Sequence, residues 1–131
     1  MVKKLYISDL DGTLLNRESR LSVATEQMLQ HLLMDGLDFT IATLRSISSV
    51  QPIFRNITLH LPIIELNGAF ITDLRTGDKL EINALDTTVR LPLYNALKES
   101  GVSPIILTHN DSADKLYFGE ITNAGIEGYY T

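Results

Sequence analysis

The 131-residue chain contains no cysteine, which excludes disulfide scaffolds, thiolate metal centres and cysteine nucleophiles. Long apolar runs are missing too, and none approaches the roughly 18 residues that a helix needs to cross a bilayer. The basic start at Lys3 and Lys4 precedes an apolar run that stops at Asp9, too short for the core of a signal peptide. Positive charge is scarce: 11 Lys and Arg stand against 16 Asp and Glu, for a formal net charge of −5. That balance lacks the basic footprint of a nucleic-acid binder. The expectation is a cytoplasmic chain with neither a membrane nor a nucleic-acid partner. No internal repeat or low-complexity tract occurs. What remains is ordinary globular composition, 44% hydrophobic and 21% charged, at a length suited to one domain or one and a fraction.

Apolar residues and turn signals divide the chain. Residues 4–9 read as a short buried strand ending in carboxylates. From 21 to 34 the apolar positions Leu21, Ala24, Met28 and Leu32, with Leu29 and Leu33, follow helical spacing. Ser22 is the natural N-cap and Gly36 the stop. Residues 38–43 form a second strand, so strand, helix and strand within 43 residues predict a right-handed βαβ unit with a parallel sheet. A second helix is predicted over 46–55, with Pro52 starting, kinking or shortening it. Residues 62–66 make a third strand, closed by Asn67-Gly68.

The pattern then changes. Residues 69–73 and 79–82 flank a turn and predict a hairpin. A helix is predicted over 87–100, then strands over 104–109 and 115–119 around an acidic turn at 110–114. No element is predicted for 123–131. The fold class is therefore α/β: a βαβαβ parallel-sheet core over 1–68, followed by an α+β segment over 69–131.

The strongest chemical signal is Asp9-Leu10-Asp11-Gly12-Thr13-Leu14-Leu15, directly after the first strand. Open parallel sheets bind ligands beyond the carboxyl ends of their strands, where this loop lies. Two carboxylates two residues apart can divide labour, one attacking phosphorus or binding a metal while the other moves a proton. Gly12 permits close approach of the backbone and Thr13 adds a hydroxyl. The plainer alternative is an acidic turn containing glycine, and placement at the strand end ahead of a βαβ unit weighs against it. His31, His60 and His109 show no metal-ligand spacing.

This segment strongly resembles the first motif of the haloacid dehalogenase-like (HAD) hydrolases, and the chain is similar to their Cof-type phosphatase branch. The resemblance implies a partial Rossmann-like core followed by part of an inserted cap domain. It makes Asp9 the nucleophile that forms an aspartyl-phosphate and Asp11 the general acid and base. Mg²⁺ would be held by the Asp9 carboxylate and the Asp11 carbonyl, and Thr13 would support the loop. Phe39-Thr40-Ile41-Ala42-Thr43-Leu44-Arg45 resembles the second motif, with Thr43 holding the transferring phosphoryl group, Arg45 matching, and Leu44 where Gly is common. Asn67-Gly68-Ala69 resembles the segment that approaches the substrate after the third strand. The implied substrate is a small phosphorylated metabolite.

Members of this branch are longer. The motif lysine and the acidic loop that would follow the cap have no counterpart among Lys3, Lys4, Lys79, Lys98 and Lys115 or in the closing residues. The chain thus looks like the N-terminal part of such a phosphatase: a gene fragment, a proteolysed product or a split protein. Without later strands the first strand would be an exposed edge, which predicts a homo-oligomer, a complementing chain or a rearranged cap segment. A non-catalytic remnant that binds phosphate or Mg²⁺ weakly is the alternative. A receiver-like module is the poorer third reading, because Leu66-Asn67 stands where its aspartate would be.

Overall fold

The computed structural model describes residues 4–110 and 113–119, so the predicted turn at 110–114 is described only in part and the segment 123–131 lies outside the described residues. The chain divides into two compact units, Met1–Ala84 and Leu85–Thr131.

In the first unit, strand β1 (Leu5–Ser8) pairs in parallel with β2 (Asp38–Ile41), in the register Leu5 to Asp38 through Ser8 to Ile41. Helix α1 (Val23–Met34) connects them. Its start is set as the sequence predicts, with Ser22 Oγ accepting a hydrogen bond from the Thr25 amide at 3.0 Å. Its end comes at Asp35 and Gly36, whose φ of +85° is one that glycine adopts without strain. Leu29 and Leu33 point from α1 into a core shared with Leu10, Phe39, Ile41, Val50 and Ile63. Burying each such side chain contributes about 1.5–3 kcal/mol, which holds the helix to the sheet.

Helix α2 is only Ile47–Val50, shorter than the predicted 46–55. The following residues continue as turns through Asn56. Pro52 has no amide hydrogen to extend the helical ladder, which accounts for the shortening. Strand β3 (Ile63–Glu65) is joined to the end of β2 by a parallel bridge between Ala42 and Ile64. The βαβαβ order with parallel strands is therefore present, although β2 and β3 meet at this single bridge.

β3 also pairs antiparallel with β4 (Phe70–Thr72), and β4 with β5 (Lys79–Ile82). The predicted hairpin is present, but its strands extend the sheet through β3. The expected boundary near 67–69 thus falls inside the first compact unit, and the units divide after Ala84. The connection Leu66-Asn67-Gly68 between β3 and β4 takes three positive φ values in succession, 52°, 55° and 90°.

The two strands of the parallel pair differ in burial. β2 is buried along Phe39, Thr40 and Ile41, whereas Leu5, Tyr6 and Ile7 of β1 are 56, 49 and 52% exposed. Among the described residues β1 pairs with β2 alone, which leaves its other edge open.

The second unit contains α3 (Thr87–Glu99) and a hairpin of β6 (Ile106–Asn110) with β7 (Ala113–Tyr117). Asp86 caps α3, accepting from the Thr88 amide at 2.8 Å. Pro92 lies within the helix. None of the described residues of this unit is fully buried. No helix among the described residues is long and apolar enough to cross a membrane.

Candidate active site

Within the first unit, the carboxyl ends of β1, β2 and β3 all lead to one cleft of about 640 Å³, lined by Asp9, Asp11, Ala42, Thr43, Leu44, Ile64, Asn67 and Gly68. The first wall is the loop after β1. Asp9 is exposed, and its Oδ1 accepts from the Leu10 amide at 2.7 Å. Leu10 is fully buried and anchors the loop, and the Leu15 amide donates back to the Leu10 carbonyl at 2.9 Å. Between them Gly12 turns the chain with φ of +74°. A buried anchor flanked by two polar residues thus holds both carboxylates at the sheet end. Gly12 and Thr13 shape this loop without lining the cleft.

The second wall is the segment after β2. Thr43 is 4% exposed, its amide donates to the Ile64 carbonyl at 2.9 Å, and its Oγ1 accepts from the Arg45 amide at 3.1 Å. The third wall is the left-handed turn after β3, where the Asn67 amide donates to the Thr43 carbonyl at 3.0 Å. Leu44 is half-exposed and forms part of the wall.

Arg45 does not line the cleft but reaches its rim. Its Nε and Nη2 donate to Asp11 Oδ2 and Oδ1 at 2.8 and 2.7 Å, a two-point fork. That hydrogen bonding holds the Asp11 carboxyl below its ordinary pKa, against the opposing effect of burial, and raises the Arg45 pKa in turn. Asp11 is therefore ionised at neutral pH.

Among the described residues no three His, Cys, Asp or Glu side chains converge to hold a metal ion. The donors at the cleft nonetheless fit a hydrated divalent cation. Asp9 is exposed beside a backbone carbonyl-bearing turn, and Mg²⁺ commonly takes one or two carboxylates, with phosphate and water filling its octahedral shell.

One residue tied to this region escaped the sequence reading. Glu65, at the end of β3, is fully buried and accepts from the Ile47 amide behind the second wall. The available signal was a charged residue closing the apolar strand Ile63-Ile64, which demands a buried partner.

A parallel α/β core with paired carboxylates at the end of its first strand belongs to the open-sheet class whose ligand sites lie beyond the carboxyl ends of the strands. The haloacid dehalogenase-like hydrolase family matches residues 6–125, and the chain belongs to that family. It is 37% identical over 70 residues to phosphatase YwpJ of Bacillus subtilis, a match covering 53% of this chain and 25% of that protein. Its fold is that of a haloacid dehalogenase-like hydrolase from Bacteroides thetaiotaomicron, with a TM-score of 0.70 at 22% identity, covering 97% of this chain and 47% of the other. A HAD/COF-like hydrolase from Plasmodium vivax shares the fold at a TM-score of 0.64 and 21% identity, with 85% of this chain and 41% of the other covered. The matched segments are thus a quarter of the curated relative and less than half of either solved chain.

Proposed function

We propose that the chain carries the nucleophile-bearing part of a Mg²⁺-dependent phosphatase acting on a small phosphorylated metabolite. The observation that carries this reading is Asp9, exposed at the end of β1 in a cleft whose opposite walls are Thr43 and Asn67. An Asp9 carboxylate oxygen attacks phosphorus as the bond to the leaving oxygen breaks, giving an aspartyl-phosphate and an alcohol. Asp11 supplies the alcohol's proton, then takes one from the water that attacks the same phosphorus and frees Asp9 and phosphate. The Thr43 hydroxyl and the turn at Asn67 and Gly68 orient the phosphoryl oxygens. Mg²⁺ would be held by Asp9 and the Asp11 carbonyl and would neutralise charge on the transferring group. Gly12 and Thr13 keep the loop in place.

The fork from Arg45 favours the base half of this cycle, because it stabilises ionised Asp11. The acid half requires Asp11 to take up a proton first, so the two halves respond oppositely to pH.

A second reading has one observation in its favour: among the described residues the cleft lining includes two carboxylates and no Lys or Arg. Phosphoryl transfer rests on electrostatic stabilisation, so a site short of positive charge suits a weak binder of phosphate or Mg²⁺. Hydrolysis of p-nitrophenyl phosphate with and without Mg²⁺, beside Asp9→Asn, separates the two. Mg²⁺-dependent turnover abolished by Asp9→Asn in a folded protein supports the phosphatase. Turnover that survives the substitution refutes it, and a folded wild type without turnover supports the binding remnant.

A further inference from the structure

Glu65 is fully buried, in a strand whose other residues are isoleucines. Removing a carboxylate from water costs several kcal/mol unless its lone pairs are satisfied. Here they are. Oε1 accepts from Thr72 Oγ1 at 2.5 Å and from Lys79 Nζ, and that ammonium sits 4.6 Å from the Phe70 ring centroid. Thr72 on β4 and Lys79 on β5 are register partners, so the sheet itself brings both donors to one carboxylate oxygen.

The other oxygen serves a different purpose. Oε2 accepts from the Ile47 amide at 2.5 Å, at the first residue of α2. A helix start is ordinarily satisfied by the residue just before it. Ser46 makes no such cap, and its hydroxyl engages those of Ser48 and Ser49 instead. Glu65 supplies the missing acceptor from across the sheet.

The consequence falls on the segment between Thr43 and Ile47. Its first end is fixed by the bond from the Thr43 amide to the Ile64 carbonyl, and its second by Glu65. In between, the Leu66 amide donates to the Arg45 carbonyl at 3.3 Å. This clamped segment carries the guanidinium that forks onto Asp11.

We infer that Glu65 is a positioning residue for Asp11: held by Lys79 and Thr72, it anchors the start of α2 and so fixes the Arg45 backbone from which the fork reaches the Asp11 carboxylate. Its bearing on turnover rests on the phosphatase reading above, but the linkage does not. If Glu65 served only to fill the sheet, replacing the ion pair by apolar residues would leave the Arg45 segment unchanged, since such swaps are often neutral or stabilising.

The test uses the full chain, with exchange of backbone amides and of the Arg45 Nε–H, which donates to Asp11 Oδ2, as readouts. In Glu65→Leu with Lys79→Met, exchange at Ile47 is expected to speed up on the order of tenfold, the scale of one lost charge-assisted hydrogen bond. The β3–β4 ladder should keep its protection, and the Arg45 Nε–H should lose protection as the fork loosens. Glu65→Gln keeps an acceptor for the Ile47 amide and should retain wild-type protection of the Arg45 Nε–H. An Arg45 Nε–H as protected in the double variant as in the wild type overturns the proposal. If that variant does not fold, the wild type decides: an Ile47 amide exchanging as fast as that of Ser48 overturns the linkage, and marked protection supports it. Neither readout needs turnover, so failure of the phosphatase reading and failure of this one give different results.

Discussion

Replacing Arg45 by methionine removes the fork on Asp11 while keeping the length of the side chain. The two bonds, 2.8 and 2.7 Å, are of good geometry, but the Arg45 and Asp11 side chains are 26 and 52% exposed, so solvent screens the pair. Exposed ion pairs contribute about 0.2–1 kcal/mol, and a bidentate pair belongs near the upper end. The expected loss at pH 7 is therefore about 1 kcal/mol, equivalent to about 4–8 °C in Tm for a unit of this size. The pH dependence follows from the sign of the shift. The folded Asp11 pKa is depressed, so the pair's contribution is complete above the ordinary aspartate value of about 3.9 and disappears as pH falls through the depressed folded value. Thermal unfolding of wild type and Arg45→Met, followed by circular dichroism from pH 7 down to pH 2, should show curves that converge in acid. The gap at pH 7 should also narrow in 1 M salt. Equal Tm values at pH 7, or a gap that persists undiminished at pH 2, would refute the ion-pair account. In an active form the same substitution should move the acid half of the pH–rate profile to higher pH, because Asp11 regains proton affinity.

Two further outcomes are expected. Gly12→Ala should lose about 1–2 kcal/mol in a urea titration through backbone strain alone, since φ is +74° and no atom lies within 4 Å of the added methyl position; a neutral result would show that the loop relaxes. We also propose that the open edge of β1 seats a further strand, from a second copy or a complementing chain. Sedimentation of the wild type should then show association that Ile7→Lys abolishes, and a wild type that stays monomeric across the concentration range would count against the second copy.

The parts legible in the sequence were those set by neighbours along the chain. The apolar spacing of α1, the Ser22 cap and the Gly36 stop are local signals, and all three appear as read. The carboxylate loop after β1 was legible because it directly follows an apolar strand, where open parallel sheets place their ligand sites. The second helix was read too long because apolar residues continue past Pro52, while the missing amide hydrogen ends the ladder. The Arg45 fork was invisible: its partner is 34 residues away, and nothing local says which carboxylate it meets. Glu65 was missed for the same reason, its donors lying on neighbouring strands and at a helix start. The hairpin was legible as a hairpin but not as an extension of the first unit's sheet, since the β3–β4 register depends on a turn through residues with positive φ.

That turn constrains more than the sheet. Leu66, Asn67 and Gly68 wind left-handed in succession, and only glycine does so without strain, with asparagine tolerating it better than most. Three adjacent codons are thus filtered by chirality before any question of ligand arises. Variation that re-tunes the cleft has freer rein at Leu44, whose backbone φ is not of this kind, than at Asn67, although both face the same space. A library randomised over 66–68 would return small and polar side chains whatever ligand was used to select it, and its pattern would report backbone handedness instead of recognition.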